Sequence, residues 1–258
     1  MARAATSLPW SGYLIGFALG GFFDGILLHQ ILQWHHLLSL VDGVTDQILF
    51  DGLFHALMYA VAAIGLVALF RTRRSLARPG SGRRLVAAAL IGAGVWHVAD
   101  GILSHWVLGI HRIKLDSANP LAWDLGWFVA FGIIPIVAGR LLYRGSGGGG
   151  GGGGGNSGPR GGIAALGLTA AALICGAWAA RAPAGSETMI VLFGPGTSQG
   201  AAVNAIRAAN GSVLWQSRGL WAVRWNDPAR VDTLHPQGAL FVSSSLVGAG
   251  CLAWTTAQ

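Results

Sequence analysis

The stretch GFFDGILLHQILQWHHLLS, Gly21–Ser39, carries Asp24, His29, His35 and His36 at the end of an otherwise apolar run. The run begins near Gly12 and reaches Leu32, close to the ~20 residues that a helix needs to cross the ~30 Å hydrocarbon core of a bilayer. An aspartate at the centre of such a helix costs about 2.5–3.5 kcal/mol on insertion scales. A segment that needed only to pack would have little reason to keep Asp24 and His29, so both are expected to face a protein interior and to pair. They also separate this run from a cleavable leader, as do the missing basic start and small-residue cleavage site.

Three further runs of the same class follow, roughly Gly52–Phe70, Leu85–Leu108 and Trp123–Leu142. The composition agrees: 53% of the 258 residues are hydrophobic and 10% are charged, against about 25% charged in a typical soluble domain. These values argue against a soluble enzyme, a disordered chain and a nucleic-acid-binding domain. The net charge of +7 comes largely from arginines beside the apolar runs, where membrane-flanking charge belongs. The lipid bilayer is therefore the first expected partner, and nucleic acid is not expected. Cys175 and Cys251 form no C-x-x-C pair, which makes a thiolate metal site a poor reading.

Arginine placement sets the expected orientation. Arg71, Arg73, Arg74, Arg78, Arg83 and Arg84 lie between the second and third runs, and Arg140 and Arg144 close the fourth. Those ends, and the N-terminus, are expected on the cytoplasmic side of a bacterial inner membrane. The connection His35–Phe50 has no Lys or Arg, and the third connection has only Arg112 and Lys114, so both face outward. Beyond residue 144 comes a Gly-rich linker, 145–162, with nine consecutive glycines at Gly147–Gly155. Such a segment does not pack. A fifth apolar run, 163–180, then delivers the C-terminal segment to the extracytoplasmic side.

That segment, 187–258, reads as a small α+β domain. Met189–Phe193, Val213–Gln216, Leu220–Trp225 and Ala239–Ser243 have strand character. Gln199–Ala209 reads as a helix capped by Thr197 or Ser198, and Ala229–Leu234 as a short helix. The order β-α-β-β-α-β predicts a ferredoxin-like sandwich.

The membrane part, 10–144, contains an internal repeat. At an offset of 76 residues, Leu14-Ile15-Gly16 recurs as Leu90-Ile91-Gly92, and Asp24-Gly25-Ile26-Leu27 as Asp100-Gly101-Ile102-Leu103. His29 matches His105, and His35 matches His111. Asp51 and Arg71 bracket the second run as Asp124 and Arg144 bracket the fourth, although Phe128 stands where the earlier half has His55. The expected fold is thus an all-α transmembrane four-helix bundle of two parallel two-helix repeats, 12–71 and 88–144, with the fifth helix and the outer domain added.

The Asp-Gly-Ile-Leu-x-His signature and the residues around it resemble the bacterial membrane-protein family called domain of unknown function 2243, over roughly residues 10–145. The resemblance implies a four-helix bacterial membrane protein without an assigned biochemical activity. It also implies a neighbourhood of cytochrome oxidase assembly, hence copper or haem and a respiratory-enzyme assembly protein as partner.

The residues point to a metal independently of that resemblance. Imidazole suits copper, zinc, iron and nickel, and carboxylates beside histidines fix their tautomers. The candidate ligands are His29, His36, His55, His97, His105 and His111, with Asp24, Asp51, Asp100 and Asp124 orienting them or accepting protons. With no Met or Cys nearby, copper(II), zinc or haem iron fits better than copper(I). His29 and His105 are the pair that two repeats would offer to a haem. On a continuous α-helix, turning about 100° per residue, His29 and His36 share a face. Asp100 and His111 do so too, as do Asp24 and His35 if their helix continues that far. His35 and His36 beside Trp34 equally suit an interface, and His111 beside Arg112 and Lys114 suits a solvated loop. Pro135 is expected to kink the fourth helix. No nucleophile elbow or H-E-x-x-H motif is present, so binding is a better reading than catalysis. Intramembrane Asp/His pairs also serve proton or small-ion transport, and a scaffold with structural histidines, or a homo-oligomer, would fit the same residues.

Overall fold

The structure is a computed structural model and describes residues 3–41, 44–144, 158–180, 188–217, 219–225 and 228–242. The chain divides into two compact units, residues 1–41 with 53–178, and residues 42–52 with 179–258.

Among the described residues, five helical stretches are long and apolar enough to cross a membrane: Leu8–Ile31, Phe50–Arg71, Ser81–Val107, Pro120–Arg144 and Arg160–Ala179. Each falls on an expected run. The first consists of α1 (Arg3–Asp24) and a π-helical continuation, Gly25–Ile31. The second is α2 (Val44–Arg71). The third repeats the first pattern, with α3 (Ser81–Asp100) followed by π-helical Gly101–Val107. The fourth is α4 (Pro120–Trp127), π-helical Phe128–Ile133 and α5 (Ile134–Arg144). The fifth is α6 (Gly158–Ala179), and most of the Gly-rich linker before it lies outside the described residues.

Pro135 has no N–H to donate and its ring crowds the preceding turn. The fourth helix widens to a π turn immediately before it. The other two π segments have no proline within them or closely following them. Both begin at the glycine that follows an intramembrane aspartate.

α1 and α3 pack along a seam of small residues. A Cβ added to Gly16 would fall inside contact distance of the Ala89 carbonyl oxygen, and one added to Gly92 inside that of the Tyr13 carbonyl oxygen. Tyr13 and Gly16 become Ala89 and Gly92 at the 76-residue offset, so the two close approaches are counterparts of each other. α6 joins through Ala165 and Ala172, which pack with Leu8, Ile15, Leu69 and Leu85. The Tyr59 hydroxyl donates to the Gly176 carbonyl oxygen at 2.7 Å. Leu57, Ile64 and Phe70 on α2, Leu141 on α5, and Leu166 and Ile174 on α6 are exposed. Large apolar side chains exposed along helices of spanning length meet lipid.

The C-terminal unit contains β1 (Thr188–Phe193), α7 (Gln199–Ala208), β2 (Gly211–Ser217), β3 (Leu220–Trp225), a 3₁₀ segment Pro228–Gln237 and β4 (Ala239–Val242). The strands form one sheet in the order β2-β3-β1-β4, and every neighbouring pair is antiparallel. Met189, Val191 and Phe193 of β1 alternate inward with Trp221, Val223 and Trp225 of β3, and meet Ala202, Ala205 and Ile206 of α7. These residues keep the period-two spacing of one sheet face meeting a helix, and Ile190 and Ala222 on the opposite face are buried as well. The short helix expected at Ala229–Leu234 is 3₁₀ instead, with Pro228 at its start and Pro236 inside it withholding an N–H. Residues beyond 242 lie outside the described residues.

Ser198 caps α7, accepting from the Ala201 amide at 3.2 Å. Ser198→Ala is expected to destabilise this helix start by ~1 kcal/mol. Amide exchange in the first turn of α7 should then accelerate about fivefold in the full-length protein. Unchanged exchange there would remove the cap from the account.

Candidate metal centre

Asp24 ends α1 and Asp100 ends α3. Beyond each, the widened turns close with bonds from the amides of Leu32 and Leu108 to the carbonyls of Leu27 and Leu103, both 2.8 Å. The amides of Trp34 and Ile110 reach the carbonyls of Leu28 and Ser104, both at 2.9 Å. The chain then reverses through left-handed residues, Gln33 at φ 50° and Gly109 at φ 62°. Glycine adopts that conformation without steric cost, and glutamine rarely does so. Every member of these pairs is related to its counterpart by the 76-residue offset.

The reversal brings His35 and His111 together, with rings stacked 4.5 Å apart at 10°. His35 Nδ1 lies 3.0 Å from the Ile113 carbonyl oxygen, and His111 Nδ1 lies 3.0 Å from that of Leu37. A carbonyl can only accept, so in each ring Nδ1 carries the proton and Nε2 keeps its lone pair. His29 sits 4.8 Å from His35 at 71°, and His105 sits 4.6 Å from His111 at 71°, centroid to centroid.

Two trios result, Asp24–His29–His35 and Asp100–His105–His111, and in each trio the three ligand atoms lie within 4.8 Å of one another. All six residues are buried. His105 Nε2 is 3.2 Å from Asp100 Oδ2, and His111 Nε2 is 3.6 Å from the same oxygen. On its other side, His105 Nδ1 meets Asp124 Oδ1 at 3.0 Å. The Asp124 carboxylate also accepts from the Ile113 amide at 3.0 Å and from Arg112 Nη1 at 2.7 Å. With Arg112 and the amide holding its charge, Asp124 accepts a hydrogen bond from His105 Nδ1, which leaves that ring's Nε2 facing Asp100.

Buried polar atoms normally have hydrogen-bond partners. Here Asp24 Oδ1, His35 Nε2 and His111 Nε2 are buried and make no hydrogen bond. Burial, reinforced by His111 and His29 nearby, holds the His35 imidazole well below its usual pKa, so it is neutral at physiological pH. Imidazoles with Nδ1 tied to carbonyls, buried carboxylates and buried atoms without hydrogen bonds are groups that could hold a metal ion without sulfur ligands.

His36 is partly buried, with its ring 5.7 Å from that of His29. Asp51 is buried on α2, one turn before His55. His55 lies against Gly25 and Phe54 and belongs to neither trio. His97 also belongs to neither. It sits among the rings of Phe23, Trp127 and Phe131, and its Nδ1 accepts from Trp127 Nε1 at 3.2 Å. The ligand set read from the sequence leaves out His35, which the fold puts at the centre. The available signal was its match to His111 at the repeat offset. A uniform helical wheel does not explain either trio, because neither helix continues as α beyond its aspartate and both chains reverse before the last histidine.

Apolar spans of membrane-crossing length around buried His/Asp groups that could hold a metal ion define a membrane protein. The chain belongs to the DUF2243 family of predicted membrane proteins, whose model matches residues 11–146. Comparison with curated proteins and with solved structures returned no match.

Proposed function

We propose that this protein binds a transition metal, copper(II) or zinc, in the bilayer through the Asp24–His29–His35 and Asp100–His105–His111 trios. The supporting observation is that Asp24 Oδ1, His35 Nε2 and His111 Nε2 are buried without hydrogen bonds beside further imidazoles. Asp124 acts behind His105 as the carboxylate that orients a ligand. A bare ion suits this packing better than a haem, whose macrocycle would have to enter between imidazoles already in ring contact.

We read the membrane part as two parallel repeats, supported by the shared offset of the π turns, the left-handed reversals and the reciprocal histidine–carbonyl bonds. The strand order of the C-terminal unit supports a ferredoxin-like sandwich. Ser75, Arg78, Pro79 and Arg84 gather with Leu8 and Tyr143, at the opposite ends of α1 and α3 from Asp24 and Asp100. The positive-inside rule then puts the centre near the outer leaflet of a bacterial inner membrane, with the C-terminal unit extracytoplasmic. A centre so placed suits metal handling in respiratory-enzyme assembly.

The test is metal analysis with an absorbance spectrum on full-length protein purified in mild detergent. Tightly held copper or zinc and no Soret band are expected. Protein that holds no metal after incubation with copper(II) or zinc would overturn the reading, and a stoichiometric Soret band would replace the bare ion with haem.

A further inference from the structure

We infer that the centre is dinuclear, with one ion in each trio. This rests on the metal-binding reading above and goes beyond it.

The argument begins with position. Each feature that builds one trio has a counterpart at an offset of 76 residues: the aspartate, the glycine opening the π turn, both histidines and the left-handed reversal. The contacts correspond as well. His35 bonds the Ile113 carbonyl and His111 bonds that of Leu37, each reaching across to the other half. The Gly16 and Gly92 approaches in the helix seam are reciprocal in the same way. A pseudo-two-fold axis therefore runs between the stacked rings of His35 and His111. Anything bound by one trio lies off that axis and has an equivalent place in the other.

Ligand supply gives the second argument. The two trios share no residue, so two ions would not compete for donors. Each offers two imidazoles and one carboxylate, three protein ligands that leave further positions for solvent or a substrate. Orphaned atoms occur on both sides of the axis, His35 Nε2 and Asp24 Oδ1 on one and His111 Nε2 on the other.

Charge gives the third. Asp24 and Asp100 supply one buried carboxylate to each trio. A single ion in one trio would leave the other's buried carboxylate with imidazoles as its only counter-groups, as Asp100 has His105 Nε2 at 3.2 Å, and a buried charge is better compensated by a full cation. Two ions remove that imbalance. Two divalent ions would leave a net positive charge between the halves, which water can neutralise by losing a proton to bulk solvent and binding as hydroxide.

The experiment loads full-length wild-type protein in detergent with copper(II), removes excess ion, and combines metal quantification with electron paramagnetic resonance. Two copper ions per chain are expected. Two neighbouring unpaired spins should also give a signal near half the usual field, which an isolated ion does not give. His29→Ala and His105→Ala should each retain one ion and lose the half-field signal, and the double variant should lose both ions. One ion in wild type, with an isolated spectrum, would overturn the dinuclear inference and leave the metal reading intact. No bound ion would overturn both. The wild-type measurements decide the matter even where a variant fails to fold.

Discussion

Gly16→Leu should unfold the seam between α1 and α3, at a cost of ~3 kcal/mol or more, the upper range for overpacking. The added Cβ alone collides with the Ala89 carbonyl, which belongs to a helix backbone and has no rotamer to change. Gly92→Leu should cost about the same, because its Cβ meets the Tyr13 carbonyl in the reciprocal position. Since both substitutions force the same two helices apart, the double variant should cost much less than the sum. Gly126→Ala is the control. Gly126 lies in α4 with nothing within 4 Å of an added Cβ, so alanine there should be neutral or stabilising by up to ~1 kcal/mol from helix propensity. Thermal melting of detergent-solubilised protein, followed by size-exclusion chromatography, measures all four. Equal losses at Gly16 and Gly126 would show that the close approach is not what matters. The seam also positions the proposed metal site, since α1 and α3 end on Asp24 and Asp100. Gly16→Leu is therefore expected to lose metal together with stability.

Asp124→Ala should produce the second large effect. It removes one acceptor from three donors: His105 Nδ1, the Ile113 amide and Arg112 Nη1. Breaking a buried ion pair from one side costs about 3–5 kcal/mol. The Arg112 side chain is 32% exposed and regains some hydration, so ~3 kcal/mol, the low end of that range, is expected. Metal affinity should fall about 10–100-fold, the usual cost of removing a carboxylate that orients a histidine ligand. Asp124→Asn should fall between, because an amide oxygen still accepts but brings no charge to Arg112. Adding Arg112→Met to Asp124→Ala should recover part of the stability and none of the affinity, because the methionine removes the stranded cation without restoring the orientation of His105. Chelator competition and thermal melting separate the two readouts. An unchanged affinity in Asp124→Ala would remove Asp124 from the metal centre.

The sequence located the spans because hydrophobicity over a bilayer thickness is a local, additive quantity. All five apolar runs became helices within a few residues of their expected limits. The strands of the C-terminal unit were legible for a related reason, since short apolar runs rich in β-branched and aromatic residues, as in Met189–Phe193 and Leu220–Trp225, are written residue by residue. The second helical segment of that unit was less so, because two prolines and a polar composition leave the choice between α and 3₁₀ to its surroundings.

The centre was legible in composition and not in arrangement. Asp24, His29, Asp100, His105 and Asp124 stood out because ionisable groups in apolar helices need a reason to be there. Their grouping depended on backbone geometry that no helical wheel contains. The π turns shift every later residue off the regular 100° step of an α-helix, and the reversals at Gln33 and Gly109 turn the chain back. His35 consequently joins Asp24 through a turn and not through one helix face, while His97 is held among aromatic rings by Trp127. What the sequence alone determined is the medium and the ingredients: apolar length specifies a bilayer, and the repeat specifies that aspartates and histidines come in matched sets. Which atoms meet was decided by the tertiary structure, because hydrogen bonds across residues far apart in the chain, from His35 to Ile113, His111 to Leu37 and His105 to Asp124, set each ring's position and tautomer.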